Sequence, residues 1–358
     1  MSTDAMRNGS LIFFVLFLIA TPLAAENLGV LDGVLRPSTI SIAGDRLFIM
    51  DVEQMHIFSL ENREHLATFG KKGEGPGEYQ VAFGLPNRME AYPDFLLMES
   101  INKILFYDHQ GRFVKEQKKL PLLGMIRPLN GKFVARRIYQ PQDGSKSYTT
   151  VRIYDENLEM EKELARQDFM QQGAGLNLTF DLSNDFLIFG VAEGKIFIEK
   201  STEGPIIEVY DANGEILDRI RFPARKIPVT AAEKKKMLQN FRNDPRIRQV
   251  TKANNTTWEA ISQNFRFRYP DEYPPVNHMY LDGGRIYIRT NYREEGRFEY
   301  LILDLQGRLL RRTFVDPTIP PQLMSQLMGI QRETIYRGKI YYLTENKDGD
   351  WELNVLPI

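Results

Sequence analysis

Apolar residues in this chain are gathered into short runs broken by Gly, Asn and Asp, and one pattern recurs: an apolar strand ending in an acidic residue, a turn, then a second strand. It reads F-S-L-E-N-R-E-H-L from Phe58, F-Y-D-H-Q-G-R-F-V from Phe106, I-Y-D-E-N-L-E-M from Ile153, V-Y-D-A-N-G-E-I-L from Val209 and I-L-D-L-Q-G-R-L-L from Ile302. The residues expected to turn each hairpin are Asn62, Gly111, Asn157, Gly214 and Gly307, types that tolerate the positive φ of tight turns. With Leu60, Asp108, Asp155, Asp211 and Asp304 as markers, the spacings are 48, 47, 56 and 93 residues.

A period near 47 with two to four strands per unit lies in the range of propeller blades rather than helical solenoids. Each period divides into four short strands; in the second unit they fall near 88–91, 95–99, 103–108 and 113–118. Strands such as R-I-Y-I-R-T from Arg285 and K-I-Y-Y-L-T from Lys339 carry bulky residues on both alternating faces, as a sheet does when neighbours cover both sides. Five full units leave three strands at the C-terminus (333–336, 339–345 and 351–356) and one at the N-terminus, 27–31. The expected fold is all-β: a six-bladed β-propeller of four-stranded blades over 26–358. Its ring is closed by the N-terminal strand joining the C-terminal blade, which leaves no unpaired terminal blade edge.

The spacing of 93 holds a surplus over residues 223–275, read as a helical insertion between blades four and five. Thr230 with Glu233 forms a capping box, and the following run places Met237, Leu238 and Phe241 on one helix face. A second short helix is expected over 257–264, before the stop at Tyr269 and Pro270. Residues 222–270 carry eleven basic against three acidic side chains, so the insertion is +8 and the rest of the chain −9. A basic lid on an acidic propeller face explains this asymmetry, and so does a surface for an anionic partner.

The 358 residues sum to a formal charge of −1, which argues against nucleic acid as a partner. No cysteine is present, so disulfides, a cysteine nucleophile and a lipid-modified N-terminal Cys are excluded. Four scattered histidines do not make a His-rich zinc site. Arg7, the apolar run 11–20 and the small residues before Ala25 have the layout of a signal peptide over 1–25. The run is shorter than the about 20 residues a spanning helix needs. A periplasmic or secreted location is expected, with membrane attachment only if that segment stays uncleaved.

Residues 67–80, A-T-F-G-K-K-G-E-G-P-G-E-Y-Q, and S-I-N-K-I-L-F-Y-D-H-Q-G-R from Ser100 resemble NHL-type six-bladed β-propellers, in the form common in exported bacterial propellers of unassigned function. The likeness covers units one and two, and later units keep only the hairpin. It implies a fold, whereas function varies among propellers. Calcium-dependent hydrolases also use six-bladed propellers, with a metal held on the axis by Glu, Asn and Asp. The candidates for such a site here are Asp51, Glu53, Glu99, Asn102, Asn291, Glu294, Glu345 and Asn346, which supply the hard oxygens Ca²⁺ requires. They stand in no recognisable signature of those hydrolases.

In a propeller the blade-to-blade connections and the second-to-third strand loops share one face. Here that face gathers the insertion, the Gly-rich connection 70–79, the loop 316–333 and the turns 140–147, 292–296 and 346–350. Its candidate binding residues are Lys71, Lys72, Tyr79, Arg136, Arg137, Tyr139, Lys235, Arg242, Arg289, Tyr292 and Arg293, Arg and Tyr being types enriched in binding hot spots. The Gly-rich segment lacks the Lys-Ser/Thr of a P-loop and opens no helix, and no G-x-S-x-G elbow is present. The chain is therefore expected to be a non-enzymatic module that binds a protein or saccharide through this face. The alternative is a hydrolase or lyase with calcium on the axis; otherwise no cofactor is expected.

Overall fold

A computed structural model describes residues 25–358 apart from 52–53, 82–86, 140–146, 173–177, 183–186, 201–202, 244, 254 and 317–329. Six antiparallel sheets each supply one blade. Blade one is Pro37–Ala43, Arg46–Asp51, Met55–Ser59 and His65–Phe69; blade two is Arg88–Ala91, Leu96–Glu99, Lys103–Tyr107 and Phe113–Lys118. Blade three is Leu123–Leu129, Lys132–Tyr139, Ser147–Tyr154 and Met160–Gln172; blade four is Phe189–Ala192, Lys195–Glu199, Ile206–Tyr210 and Ile216–Arg221. Blade five is His278–Asp282, Arg285–Glu294, Arg297–Asp304 and Leu309–Val315. Blade six takes Glu333–Tyr336, Lys339–Glu345 and Trp351–Pro357 from the C-terminal end and its outer strand, Glu26–Val30, from the N-terminal end. That pairing runs from Glu26 opposite Val355 to Val30 opposite Glu352 and closes the ring.

Successive residues of one strand serve opposite seams. Leu47 and Ile49 pack towards blade six while Phe48 and Met50 pack towards blade two. Ile286 and Ile288 face blade four while Tyr287 faces blade six. Six such inter-blade clusters run round the ring, which is why these strands are apolar on both faces.

The recurrent acidic residue is a turn device. Asp108, Asp155, Asp211 and Asp304 each accept the backbone N–H groups two and four residues on, at 2.7–3.2 Å. The left-handed residue lies three after the marker: Arg63, Gly111, Leu158, Gly214 and Gly307. Asn62 and Asn157, the residues the sequence points to in two hairpins, sit one position earlier, with the N–H of Asn157 bonded to Asp155 and that of Asn62 to Ser59 Oγ. At Gly111, Gly214 and Gly307 a Cβ would stand within 2.7 Å of Phe69, Leu164 and Ile220 respectively. Each of these glycines both takes positive φ and lets its hairpin tip touch the outer strand of the preceding blade.

Between blades four and five the chain leaves the ring on a two-stranded stalk, with Val229 N bonded to Asp271 O at 2.8 Å and Tyr273 N to Ile227 O at 2.9 Å. Three helices follow: α1 (Ala231–Asn243), α2 (Pro245–Ala253) and α3 (Trp258–Ser262). The capping box forms, Glu233 accepting from Thr230 N at 2.8 Å and Thr230 Oγ1 from Glu233 N at 3.3 Å. Helix α3 is capped by Thr257. Helix α2 is an addition to the sequence reading, although Pro245 at its first position is a start signal.

Candidate functional site

The first strand of each blade runs along the axis, and in these strands polar residues stand where packing alone calls for apolar ones. Arg88 and Glu90, two apart and so on one face, pair at 2.7 Å. Arg127 from blade three reaches the other oxygen of Glu90 at 2.6 Å. Arg88 also bonds Glu99 at 3.3 Å, and that carboxylate accepts the backbone N–H of Ile126 at 2.8 Å. Across the axis, Arg289 donates to Glu333 and, at 2.8 Å, to Asn277 Oδ1, while the Tyr280 hydroxyl donates to Glu333.

His278 stands between these two clusters. It pairs across the strands with Arg289, and its ring lies 4.2 Å from that of Tyr280. Burial and the charges of Arg289, Arg127 and Arg88 hold its imidazole well below the ordinary pKa, so it is neutral at pH 7. Burial and the nearby Glu333 carboxylate push Tyr280 well above the ordinary tyrosine range. Arg136, opposite Gly124 in blade three, is 8% exposed, and its side chain has no ion pair or hydrogen bond among the described residues. Burial and the charge of Arg88, only partly offset by Glu99, push its guanidinium down to about 10.

The insertion is a second region of interest. Met237 and Phe241 of α1 pack with Leu182 and Val229, and against them lie Trp258, Phe265 and Phe267. Strand Phe265–Arg268 pairs in parallel with Leu178–Asp181, an extension of blade three. The insertion therefore reaches back one blade and is anchored at both ends. Lys235, Lys236, Arg242, Arg248 and Lys252 remain exposed, with Arg242 held by Glu259 at 2.9 Å. At its root a cleft of about 340 Å³ is lined by Pro205, Arg225, Lys226, Tyr273 and Pro274, among others.

Of the residues singled out from sequence, Arg136 and Glu99 belong to the cluster around Arg88, and Arg289 to the cluster with Glu333 on the other side of the axis. Arg137 and Tyr139 belong to a separate array on blade three. There Tyr139 stacks on Tyr148 at 5.0 Å, Arg137 and Arg152 lie over Tyr139 at 4.8 and 4.4 Å, and Arg166 lies over Tyr148 at 4.3 Å. Tyr292 lies under Arg225 at 4.0 Å, and Arg293 covers Phe298 at 4.0 Å. Lys71 is spent on Glu78 at 2.9 Å, and Lys72 is exposed. Tyr79 corrects the reading: fully buried in the core between blades one and two, it offers no ring to a ligand.

The residues considered for calcium do not converge. Glu99 is committed to Arg88 and Ile126, and Asn291 joins Asn277 to the Pro274 carbonyl at 3.0 and 2.8 Å. Asn102 lies exposed in a turn and Glu345 exposed at the end of its strand, and Glu53 falls outside the described residues. Among the described residues no three His, Asp or Glu side chains are grouped to hold a metal. The signal overlooked in the sequence was the charge inside short first strands: Arg88 and Glu90, Arg127, His278 and Glu333.

Comparison with family models gives no match, and neither does comparison with curated proteins. Among solved structures, a DUF4221 family member from Bacteroides vulgatus is similar at TM-score 0.51 and 11% identity, over 93% of this chain and 97% of that one. A protein of unknown function from Bacteroides caccae follows at 0.42 and 9%, over 81% and 85%. BamB from Moraxella catarrhalis scores 0.34 at 8%, over 90% and 85%. Only the first of these is near enough to carry weight, and it speaks for the fold alone. The fold is a six-bladed propeller.

Proposed function

We propose that this is an exported propeller of NHL type that acts as a non-enzymatic binding module, docking a protein or saccharide partner on the face that carries the insertion. The observation that carries this reading is how the insertion spends its residues. Its aromatic side chains are used internally, on one another and on the blade-three extension, while its lysines and most of its arginines stay at the surface. A rigidly held basic surface suits an acidic partner, because charge complementarity steers encounter and fixes orientation. Export rests on the apolar run 11–20 and the small residues after it. The NHL assignment rests on the Gly-rich connection 70–79 and the Asn-Lys-Ile of blade two.

The test is retention of envelope components by the immobilised protein, compared with a variant carrying Lys235→Glu, Arg242→Glu and Lys252→Glu. These side chains are exposed, so the variant should fold with an unchanged circular dichroism spectrum. Loss of an acidic protein or polyanionic glycan from the retained fraction is the expected result. Equal retention by both proteins would overturn the reading.

A further inference from the structure

Buried cations are held in proteins when carboxylates pair them and hydrogen bonds satisfy their remaining donors. On the axis three arginines have a carboxylate partner and a fourth has none among the described residues. Glu90 serves Arg88 and Arg127, Glu99 serves Arg88, and Glu333 serves Arg289. Arg136 is as buried as these, at 8% exposed, and has no such partner among the described residues. The free oxygen of Glu99 lies 3.6 Å from where a side chain at Gly124 would begin, and Gly124 is the cross-strand neighbour of Arg136. The bare glycine thus leaves open the space between that arginine and the axial carboxylates.

One further donor of the cluster is unspent. Arg127 Nε is buried and without a partner among the described residues, and buried donors without an acceptor are rare enough to need an explanation. Solvent nevertheless reaches the site, since the side chains of Arg127 and Glu90 keep 18% and 22% of their exposure and His278 is only half-buried. What is lacking here is negative charge and acceptor atoms, in a place a small molecule can enter.

We propose that the axial cluster of Arg88, Arg127, Arg136 and Arg289 around His278 binds a small oxyanion, a carboxylate or phosphate group on a ligand that enters the central channel. Planar guanidinium forks match both groups, and the unspent donors of Arg127 and Arg136 are the ones such a group would occupy. This reverses the expectation of a cation on the axis. It goes beyond the binding-module reading and is independent of the basic insertion.

Calorimetric titration and thermal unfolding of the full chain test it, with inorganic phosphate and citrate as probes and sodium chloride at matched ionic strength as the reference. Either probe should bind and raise the unfolding midpoint beyond the chloride reference. Phosphate alone acting assigns a phosphate-bearing ligand, and citrate alone a carboxylate. Arg136→Met should weaken binding by about tenfold or more, yet leave the free protein at least as stable, because an uncompensated buried charge has been removed. Arg136→Lys, which keeps the charge without the fork, should bind at an intermediate level and serves if the Met variant fails to fold. Equal effects of probes and chloride, or unchanged affinity in both variants, would overturn the proposal. Charge reversal on the insertion should leave phosphate or citrate binding intact, so the two readings fail separately.

Discussion

Arg289 and Glu333 form an ion pair across the seam between blades five and six, each side chain only 8% exposed, with the Tyr280 hydroxyl on the same carboxylate. Removing one member of a buried pair strands the other, at a cost of about 3–5 kcal/mol. Arg289→Met should therefore lower the denaturant midpoint strongly at unchanged m-value, and Arg289→Met combined with Glu333→Leu should recover most of the loss. A single variant costing less than about 1 kcal/mol, the range of exposed pairs, would show that the seam is held by apolar packing alone.

His278 links stability to pH. Its partial burial, with Arg289 on its own blade and Arg127 and Arg88 on the far side of the axis, depresses its folded-state pKa below about 6.5. The unfolded chain then takes up the proton first. Stability is complete above about pH 6.5 and is lost as pH falls towards the folded value. His56, lowered by burial, acts in the same direction. His278→Gln should flatten the decline in unfolding midpoint between pH 7 and pH 5. An unchanged profile would place the acid sensitivity elsewhere.

Gly307 and Gly283 separate two costs of adding a methyl group. Both have positive φ, 84° and 54°, but a Cβ at Gly307 would stand 2.5 Å from Ile220, whereas at Gly283 nothing lies within 4 Å. Gly283→Ala should cost about 1–2 kcal/mol for the backbone alone. Gly307→Ala should cost about 2–4 kcal/mol, since it also presses the hairpin tip into blade four. Equal losses in chemical denaturation would mean that the hairpin tips are not tight contacts.

The insertion has its own core, and so its own melting behaviour. Phe241 meets Trp258 and Phe267 edge-on at 6.2 and 5.4 Å. Phe241→Ala should remove about 3–5 kcal/mol from that unit and little from the propeller. Limited trypsin digestion is then expected to cut at Lys234–Lys236 while the remaining blades stay resistant. Digestion spreading through the blades at the same rate would show that insertion and ring unfold together.

The fold could be read from sequence because its causes are local and repeated: a carboxylate two and four residues before amides it can bond, and strands apolar on both faces. The blade-two strands fall within a residue or so of their expected bounds for that reason. The ring closure followed from counting strands. The insertion's return to blade three was less legible, because parallel pairing of Phe265–Arg268 with Leu178–Asp181 has no sequence period, although the spacing of 56 between Asp155 and Asp211 already held room for it. The axial cluster was legible only in part. Arg136 and Arg289 drew notice as arginines near a rim, but their convergence with Arg88, Arg127 and His278 depends on six strands meeting at one line, which no single segment records.

The strand Glu26–Val30, which completes blade six, also governs the order of events in biosynthesis. It emerges from the ribosome among the first described residues, yet its partner Trp351–Pro357 emerges among the last; Asn27 and Glu352, joined at 2.7 Å, are 325 positions apart. Until then Glu26–Val30 has no strand to pair with, and the nascent protein is an open arc whose ends are free to find other chains. Pairings of such long range make closure late. A chain that stays an open arc until its two ends meet becomes a closed ring only after its last strand has been made, so ring closure is the final act of its synthesis.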